Sequence, residues 1–147
     1  MAFRNKYKEI SEFDADIYVI CECEDPANTE SKKYKEFASN SYWIGENKNK
    51  GLGIFAKDNI KLEPIKDNNQ GFKYFIPLRV NDTFNLLGIW AMPDYVEMIH
   101  DYYSANRELF NENLVMCGDF NSSVVLDDHI KIKVLQCYYT ILKKMDW

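Results

Sequence analysis

The residues best suited to chemistry lie in Gly118-Asp119-Phe120-Asn121, directly after the apolar run Leu114–Cys117. That run has the length and composition of a buried strand, and Gly118 ends it, so Asp119 and Asn121 are predicted to stand at the tip of the strand. Functional groups of sheet-based folds usually lie at such tips. Residues two apart in an extended chain project the same way, so a carboxylate and an amide would point at one place, as a hard cation or a phosphate oxygen requires.

The same residues also fit an ordinary turn, because Asp and Asn side chains often hydrogen-bond the backbone just after a strand. A site therefore needs a second, independent acid. Ile17–Cys21 is a second apolar run without charge, and Glu22 follows it directly. If that strand is central, its carboxylate emerges at the same kind of position as Asp119, and two carboxylates at parallel strand tips can share one divalent ion.

Spacing alone leaves the identity of that acid open. Glu24 lies two residues beyond Glu22 and faces the same side if the chain stays extended. The alternative is a solvated acidic turn in which Asp25 caps a helix that has Pro26 at its first position.

Composition indicates one soluble globular domain spanning 1–147, since the chain has 147 residues of which 46% are hydrophobic and 15% aromatic. The net charge of −5 argues against a surface that binds nucleic acid over its whole extent. A metal between carboxylates can nevertheless bind a phosphate on a protein that is not basic. The N-terminal segment is charged where a signal peptide is apolar, and no stretch has transmembrane length, which predicts a cytoplasmic location.

The four cysteines, Cys21, Cys23, Cys117 and Cys137, include no Cys-x-x-Cys pair. Cys21 and Cys117 lie inside apolar runs, so reduced core thiols are favoured over zinc or disulfides. His100 and His129 have no partner at ligand spacing and are predicted to lie at the surface.

The periodicity of the chain predicts an alternation of helices and strands. In order, these are a short helix up to Ser11, the strand Ile17–Cys21, a helix from Pro26 to about Ala38, a hairpin from Ser41 to Ala56, strands over Phe72–Val80 and Phe84–Ala91, a helix after Pro93 with Asp94 and Glu97 as a capping box, the strand Leu114–Cys117, and a last helix from Asp127 or Asp128.

Four of these segments, in this order, resemble successive motifs of the endonuclease/exonuclease/phosphatase superfamily, to which exonuclease III and the apurinic endonucleases belong. They are Ile17–Glu22, Gly51–Phe55, Leu86–Pro93 and Gly118–Ser123. The resemblance covers nearly the whole chain and implies a two-sheet α/β sandwich. On that basis the first sheet is predicted to hold Ile17–Cys21 and the strands between Ser41 and Ala91, and Leu114–Cys117 to begin the second.

The resemblance also implies a function. The expected activity is that of a Mg²⁺-dependent (or Mn²⁺-dependent) phosphodiesterase, above all a nuclease, which hydrolyses phosphodiester bonds by metal-assisted in-line attack of water. By position, Glu22 is implied as a metal ligand, Asp119 as the group that activates or orients the water and also contacts the metal, and Asn121 as a ligand of phosphate or metal. DNA, RNA, phosphoinositide and sphingolipid phosphate all remain open as substrates.

The chain departs from the family pattern at both ends. Family members begin with a strand that ends in Trp-Asn and finish with an Asp-His pair, whereas this chain begins at Met1 and stops at Trp147. Trp90-Ala91-Met92-Pro93 also lacks the His or Tyr of many members. The expectation is an incomplete domain that binds Mg²⁺ or Mn²⁺ weakly and has little activity. A different class of function, a non-catalytic structural or interaction module, is the alternative, and sheet surface left bare by missing strands predicts a homo-oligomer.

Overall fold

The computed structural model describes residues 3–69 and 71–121. The predicted last helix, together with His129 and Cys137, lies outside them. The described elements are a 3-10 helix at Phe3–Asn5, α1 (Tyr7–Ser11), β1 (Ile17–Cys23), a 3-10 helix at Pro26–Asn28, α2 (Lys32–Phe37), β2 (Ser41–Asn47), β3 (Lys50–Ala56), β4 (Leu62–Pro64), β5 (Phe75–Val80), β6 (Phe84–Trp90), α3 (Tyr95–Ala105), a 3-10 helix at Arg107–Leu109, and β7 (Leu114–Asp119).

The strands form two sheets, so the fold of the described residues is mixed α/β. The first sheet has the strand order β1-β3-β2 and is antiparallel throughout. The second has the order β4-β5-β6-β7, in which β6 and β7 run parallel and the other neighbours antiparallel. The hairpin predicted between Ser41 and Ala56 is confirmed as β2 and β3.

The two sheets pack face to face around the main hydrophobic core. Its fully buried members come from both sheets, among them Leu52 and Ile54 of β3 and Leu78 of β5. Across this core β1 faces β7, and β3 faces β6. The sheets approach closely at Gly88, where a Cβ would lie 2.9 Å from Ile54 Cδ1.

Helices cover the outer faces. Phe3, Tyr34 and Phe55 form a core beneath α1 and α2 on the first sheet, and Phe75 stacks on Tyr102 of α3, with ring centroids 4.0 Å apart, on the second. Strands such as β3, buried over nearly their whole length, need cover on both faces, and this accounts for the helical layers. None of the helices in residues 3–69 and 71–121 is long and apolar enough to cross a membrane.

The predicted division of strands between the sheets is wrong. β5 and β6 do not join the first sheet but pair with each other in the second, and β7 adds to β6 as its fourth strand. Each of these strands is an apolar run without a one-sided pattern, so its residues do not specify which sheet it joins. β1 is an end strand of the first sheet in the described residues, so the condition that it be central, on which the comparison of Glu22 with Asp119 depended, is not met.

Two helix predictions also change. The helix predicted from Pro26 to Ala38 is divided into a 3-10 turn, where Asp25 Oδ1 accepts the Ala27 N–H at 2.8 Å, and α2, which Ser31 caps. The role of Asp25 as a cap is thus confirmed. Asp94 makes no side-chain cap to α3, because its backbone is left-handed (φ 69°) whereas capping residues are extended.

The inner face of the first sheet, expected to be bare, is covered. Ile17, Val19 and Cys21 of β1 pack against the core that the second sheet completes. This face of β1 is therefore partly buried against the second sheet, and the homo-oligomer stays a prediction that rests on the outer edge of β1.

Gly118 offers a sharp test of the register between β6 and β7. Its φ is +140°, and a Cβ there would lie 1.8 Å from the backbone oxygen of Ile89. We expect Gly118→Ala to lower the free energy of unfolding by about 3 kcal/mol or more, since it combines backbone strain with a clash against a fixed backbone atom. Urea denaturation followed by circular dichroism measures this loss.

Gly71→Ala is the matched control. Gly71 also has a positive φ (+84°), but no described atom lies within 4 Å of the position that a Cβ would take there. That substitution should cost only the backbone term, about 1–2 kcal/mol. Equal losses in the two variants would contradict the close approach of β7 to β6.

Candidate functional site

Glu22 stands on a bulge near the end of β1. The register with β3 pairs Cys21 with Leu52 and Cys23 with Gly51, so Glu22 is the extra residue. Its backbone is left-handed, with φ 61°. Bulges re-aim side chains and are frequent beside functional sites. Here the bulge turns the Glu22 carboxylate out into solvent, while Cys23 and Glu24 are buried.

The bulge separates the two glutamates that spacing alone could not distinguish. Glu24 is 5% exposed and lies on the helical side of the first sheet, where its charge acts on the Tyr34 and Cys23 groups. Glu22 lies on the opposite side, where its charge acts on Cys21. The chain is therefore not extended through residues 22–24, and Glu22 is the acid that pairs with Lys50 on the exposed side of the bulge.

Asp119 and Asn121 close a tight turn after β7. Asp119 Oδ1 accepts the backbone N–H of Asn121 at 3.0 Å, and Asn121 Nδ2 donates to the Ala91 carbonyl oxygen at 2.9 Å. Asn121 has a left-handed backbone, with φ 48°. The turn interpretation is thus correct, yet it leaves Asp119 Oδ2 and Asn121 Oδ1 as further acceptors on two exposed residues.

Cys21 lies next to Glu22 in β1. Its sulfur donates to the Ile89 carbonyl oxygen at 3.7 Å. Burial raises the pKa of the Cys21 thiol to about 11; a backbone hydrogen bond from Asp119 opposes this rise, and the charges of Asp119 and Glu22 add to it. Glu22 is the chain neighbour of Cys21, whereas Asp119 belongs to the other sheet, so the effect of Asp119 shows that the end of β7 lies close to Cys21 of β1.

Lys50 completes this end of the sandwich. Its Nζ lies 3.0 Å from Glu22 Oε1 and 5.0 Å from the centroid of the Trp90 ring. The Lys50 and Glu22 side chains are 52% and 61% exposed, and an ion pair this accessible to water is worth at most about 1 kcal/mol. Trp90 itself is buried, packs on Tyr74 and pairs in register with Asp119. We call Glu22, Lys50, Trp90, Asp119 and Asn121 the rim cluster.

A second bulge lies next to the rim cluster. Glu46 is the extra residue between Gly45 and Asn47 of β2 and forms an ion pair with Lys73. Hydrogen bonds from Lys73 and Tyr74 lower the pKa of the Glu46 carboxyl. Because Tyr74 packs on Trp90, the second glutamate–lysine pair borders the first.

Sequence reasoning missed Lys50 and Trp90 and treated Cys21 only as a core thiol. Lys50 lies within the predicted hairpin from Ser41 to Ala56 and is the first residue of β3. Its place beside Glu22 follows from the pairing of Cys23 with Gly51, and no local pattern reveals that pairing. His100 was predicted to lie at the surface, and this is confirmed, since its side chain is 68% exposed.

The rim cluster offers oxygen donors, namely two carboxylates and one amide, which is the donor type that Mg²⁺ prefers. Within residues 3–69 and 71–121, no three His, Cys, Asp or Glu side chains form a group able to hold a metal. Mg²⁺ commonly uses one or two carboxylates and keeps several waters, so the donor set fits in kind as an open, water-rich site. The Cys21 thiol, held protonated by burial, is unsuited as a ligand or a nucleophile.

Comparison with known proteins adds no assignment. The chain matches no protein-family model, and no curated protein matches it significantly.

Cys21 can report on the approach of Asp119 to β1. With its pKa raised from 9.0 to about 11, the thiolate fraction at pH 8 is roughly a hundredfold lower than that of a free thiol, and alkylation should slow accordingly. Asp119→Asn and Glu22→Gln each remove a negative charge that raises this pKa. We expect both to shift the pH profile of Cys21 alkylation by iodoacetamide to lower pH, as measured by tandem mass spectrometry.

Glu24→Gln is the matched control, because the Glu24 charge acts on Cys23 and Tyr34. It should leave the Cys21 profile in place. A Cys21 profile that moves with Glu24→Gln but not with Asp119→Asn would contradict the arrangement of the rim cluster.

Proposed function

We propose that this protein is a Mg²⁺-dependent phosphodiesterase, and more narrowly a nuclease, whose active site is the rim cluster. The observation that supports this proposal is that Glu22 and Asp119 lie at one end of the sandwich: β1 packs against β7, and Lys50, paired with Glu22, lies over Trp90, which pairs in register with Asp119. These acids are far apart in the chain and belong to different sheets, and Asn121 follows the second at the spacing of Gly-Asp-x-Asn. Two further features support the proposal. Four segments resemble motifs of the endonuclease/exonuclease/phosphatase superfamily in the same order, and the described residues have a two-sheet α/β arrangement.

Each residue then has a chemical role. Glu22 and Asp119 supply carboxylate oxygens to the cation, in part through its bound waters. Asp119 Oδ2 accepts a hydrogen bond from the attacking water and orients it. Asn121 donates a hydrogen bond to the phosphate or coordinates the metal. When bound, the metal polarises the scissile phosphate and stabilises the charge that develops on it.

A nucleic acid is the preferred substrate because the rim carries two exposed lysines. Lys50 lies over Trp90, and Lys73 precedes Tyr74, whose ring packs on Trp90. Lys50 and Lys73 are paired with Glu22 and Glu46, so each can contact a phosphate of a polyanion only when its glutamate is engaged elsewhere, as Glu22 would be by the cation. We also retain the cytoplasmic location predicted from the sequence.

Cation binding is the first test. Mn²⁺ should bind weakly, and Glu22→Gln or Asp119→Asn should weaken it at least about tenfold, as measured by water-proton relaxation. Glu46→Gln is the matched control, since Glu46 also stands on a bulge and pairs with a lysine. Mn²⁺ binding that Glu46→Gln impairs and Glu22→Gln does not would overturn the assignment of the site.

Activity is the second test. A panel of single-stranded and double-stranded DNA and RNA, with a phosphoinositide and a sphingolipid phosphate, is assayed with Mg²⁺. We expect weak nuclease activity, which Asp119→Asn lowers by about two to three orders of magnitude, as is typical when one preorganised transition-state contact is lost. Cleavage that survives both Asp119→Asn and Glu22→Gln would place the chemistry elsewhere.

The alternative, a non-catalytic interaction module, is favoured by a specific observation. Glu22 is already paired with Lys50, and Asp119 and Asn121 already hold their own turn. In that case the outer edge of β1 is the surface for self-association. Light scattering across a dilution series, combined with no Glu22-dependent binding of Mn²⁺, would support this alternative over the enzyme.

A further inference from the structure

The Lys50 ammonium group contacts one oxygen of the carboxylate that a cation at Glu22 would use. Its Nζ is 3.0 Å from Glu22 Oε1, a distance at which a hydrated or direct cation contact would compete for the same oxygen. We propose that Lys50 is a built-in competitor for the divalent cation, and that Mg²⁺ or Mn²⁺ binds at Glu22 only as Lys50 is displaced. This inference rests on the proposed metal site and adds a residue that controls its occupancy.

The backbone explains why Lys50 meets Glu22. Gly51 pairs with Cys23, so Lys50 continues β3 past the point where the β1 bulge interrupts the ladder. On its other side, Lys50 pairs with Asn47, next to the second bulge. The residue at the start of β3 is thus flanked by two bulged strands, and its side chain extends over the Trp90 ring toward the re-aimed Glu22 carboxylate.

Because of its charge and its exposure, Lys50 competes with the divalent cation for Glu22 but does not exclude the cation. A lysine ammonium and a divalent cation repel each other, so both cannot share one carboxylate at short range. The pair is also weak, because both side chains are more than half exposed and water and salt screen the attraction. Trp90 favours the bound position of Lys50 through a cation–π contact, again of modest strength at an exposed site.

Lys48 provides a matched comparison. It lies two residues from Lys50 in the turn between β2 and β3, is exposed, and makes no ion pair with a described residue. Its backbone oxygen accepts the Asp25 N–H, a contact that a side-chain change leaves intact. Removing either lysine therefore changes the net charge equally, but only Lys50 touches Glu22.

The experiment titrates the full chain with Mn²⁺ alone, followed by water-proton relaxation, in wild type, Lys50→Gln, Lys48→Gln, Glu22→Gln and the Lys50→Gln/Glu22→Gln double variant. Circular dichroism verifies that each variant folds. We expect Lys50→Gln to tighten Mn²⁺ binding by about three- to tenfold, the scale of one exposed ion pair together with one like charge. Lys48→Gln should change the affinity by less than about twofold, and Glu22→Gln should abolish the gain.

The remaining outcomes separate this inference from the function on which it rests. If wild type binds Mn²⁺ through Glu22 but Lys50→Gln leaves the affinity unchanged or weakens it, Lys50 is not a competitor and the metal site stands. If no variant shows Glu22-dependent binding of Mn²⁺, the proposed metal site is wrong, and the role of Lys50 is overturned with it.

Discussion

The face-to-face packing of the two sheets is the constraint on which the rest of this molecule depends. Burial of each large aliphatic side chain in that core, such as Leu52, Ile54 or Leu78, contributes about 1.5–3 kcal/mol. The exposed ion pairs at the rim contribute at most about 1 kcal/mol each. Apolar packing therefore decides that β1 lies against β7, and the charged groups only adjust to the place in which packing has put them.

Local backbone strain at the rim depends on that packing. Glu22 and Asn121 both have left-handed backbones, a conformation that costs an L residue about 1–2 kcal/mol. Each strained residue is held by a buried neighbour or by a hydrogen bond. Glu22 lies between the half-buried Cys21 and the buried Cys23. The Asn121 side chain donates a hydrogen bond to the Ala91 carbonyl oxygen. The strained positions are the ones that present a carboxylate and an amide to solvent, so the core stabilises an arrangement that the rim alone would not keep.

The electrostatics of the rim cluster differ from what an acidic chain suggests. The molecule carries a net charge of −5, yet each bulged glutamate, Glu22 and Glu46, has a lysine partner. Next to Glu22 lies Cys21, a neutral thiol whose pKa burial raises to about 11. The local balance of charge is thus set by which side chains the two bulges bring together, and the overall composition does not predict it.

The sequence by itself determined most of the strands, the hairpin of β2 and β3, the acidic residue that follows the apolar run Ile17–Cys21 and the Asp-x-Asn turn at the end of β7. Each of these depends on a local run of apolar residues or on turn chemistry. The sequence did not determine which sheet β5, β6 and β7 join, the bulge that separates Glu22 from Glu24, or the position of Lys50. Those depend on pairing between distant strands, and strands that are apolar on both faces fit more than one partner equally well. Only the tertiary structure decided them, since the packing of one sheet on the other selects a single register and a single set of neighbours.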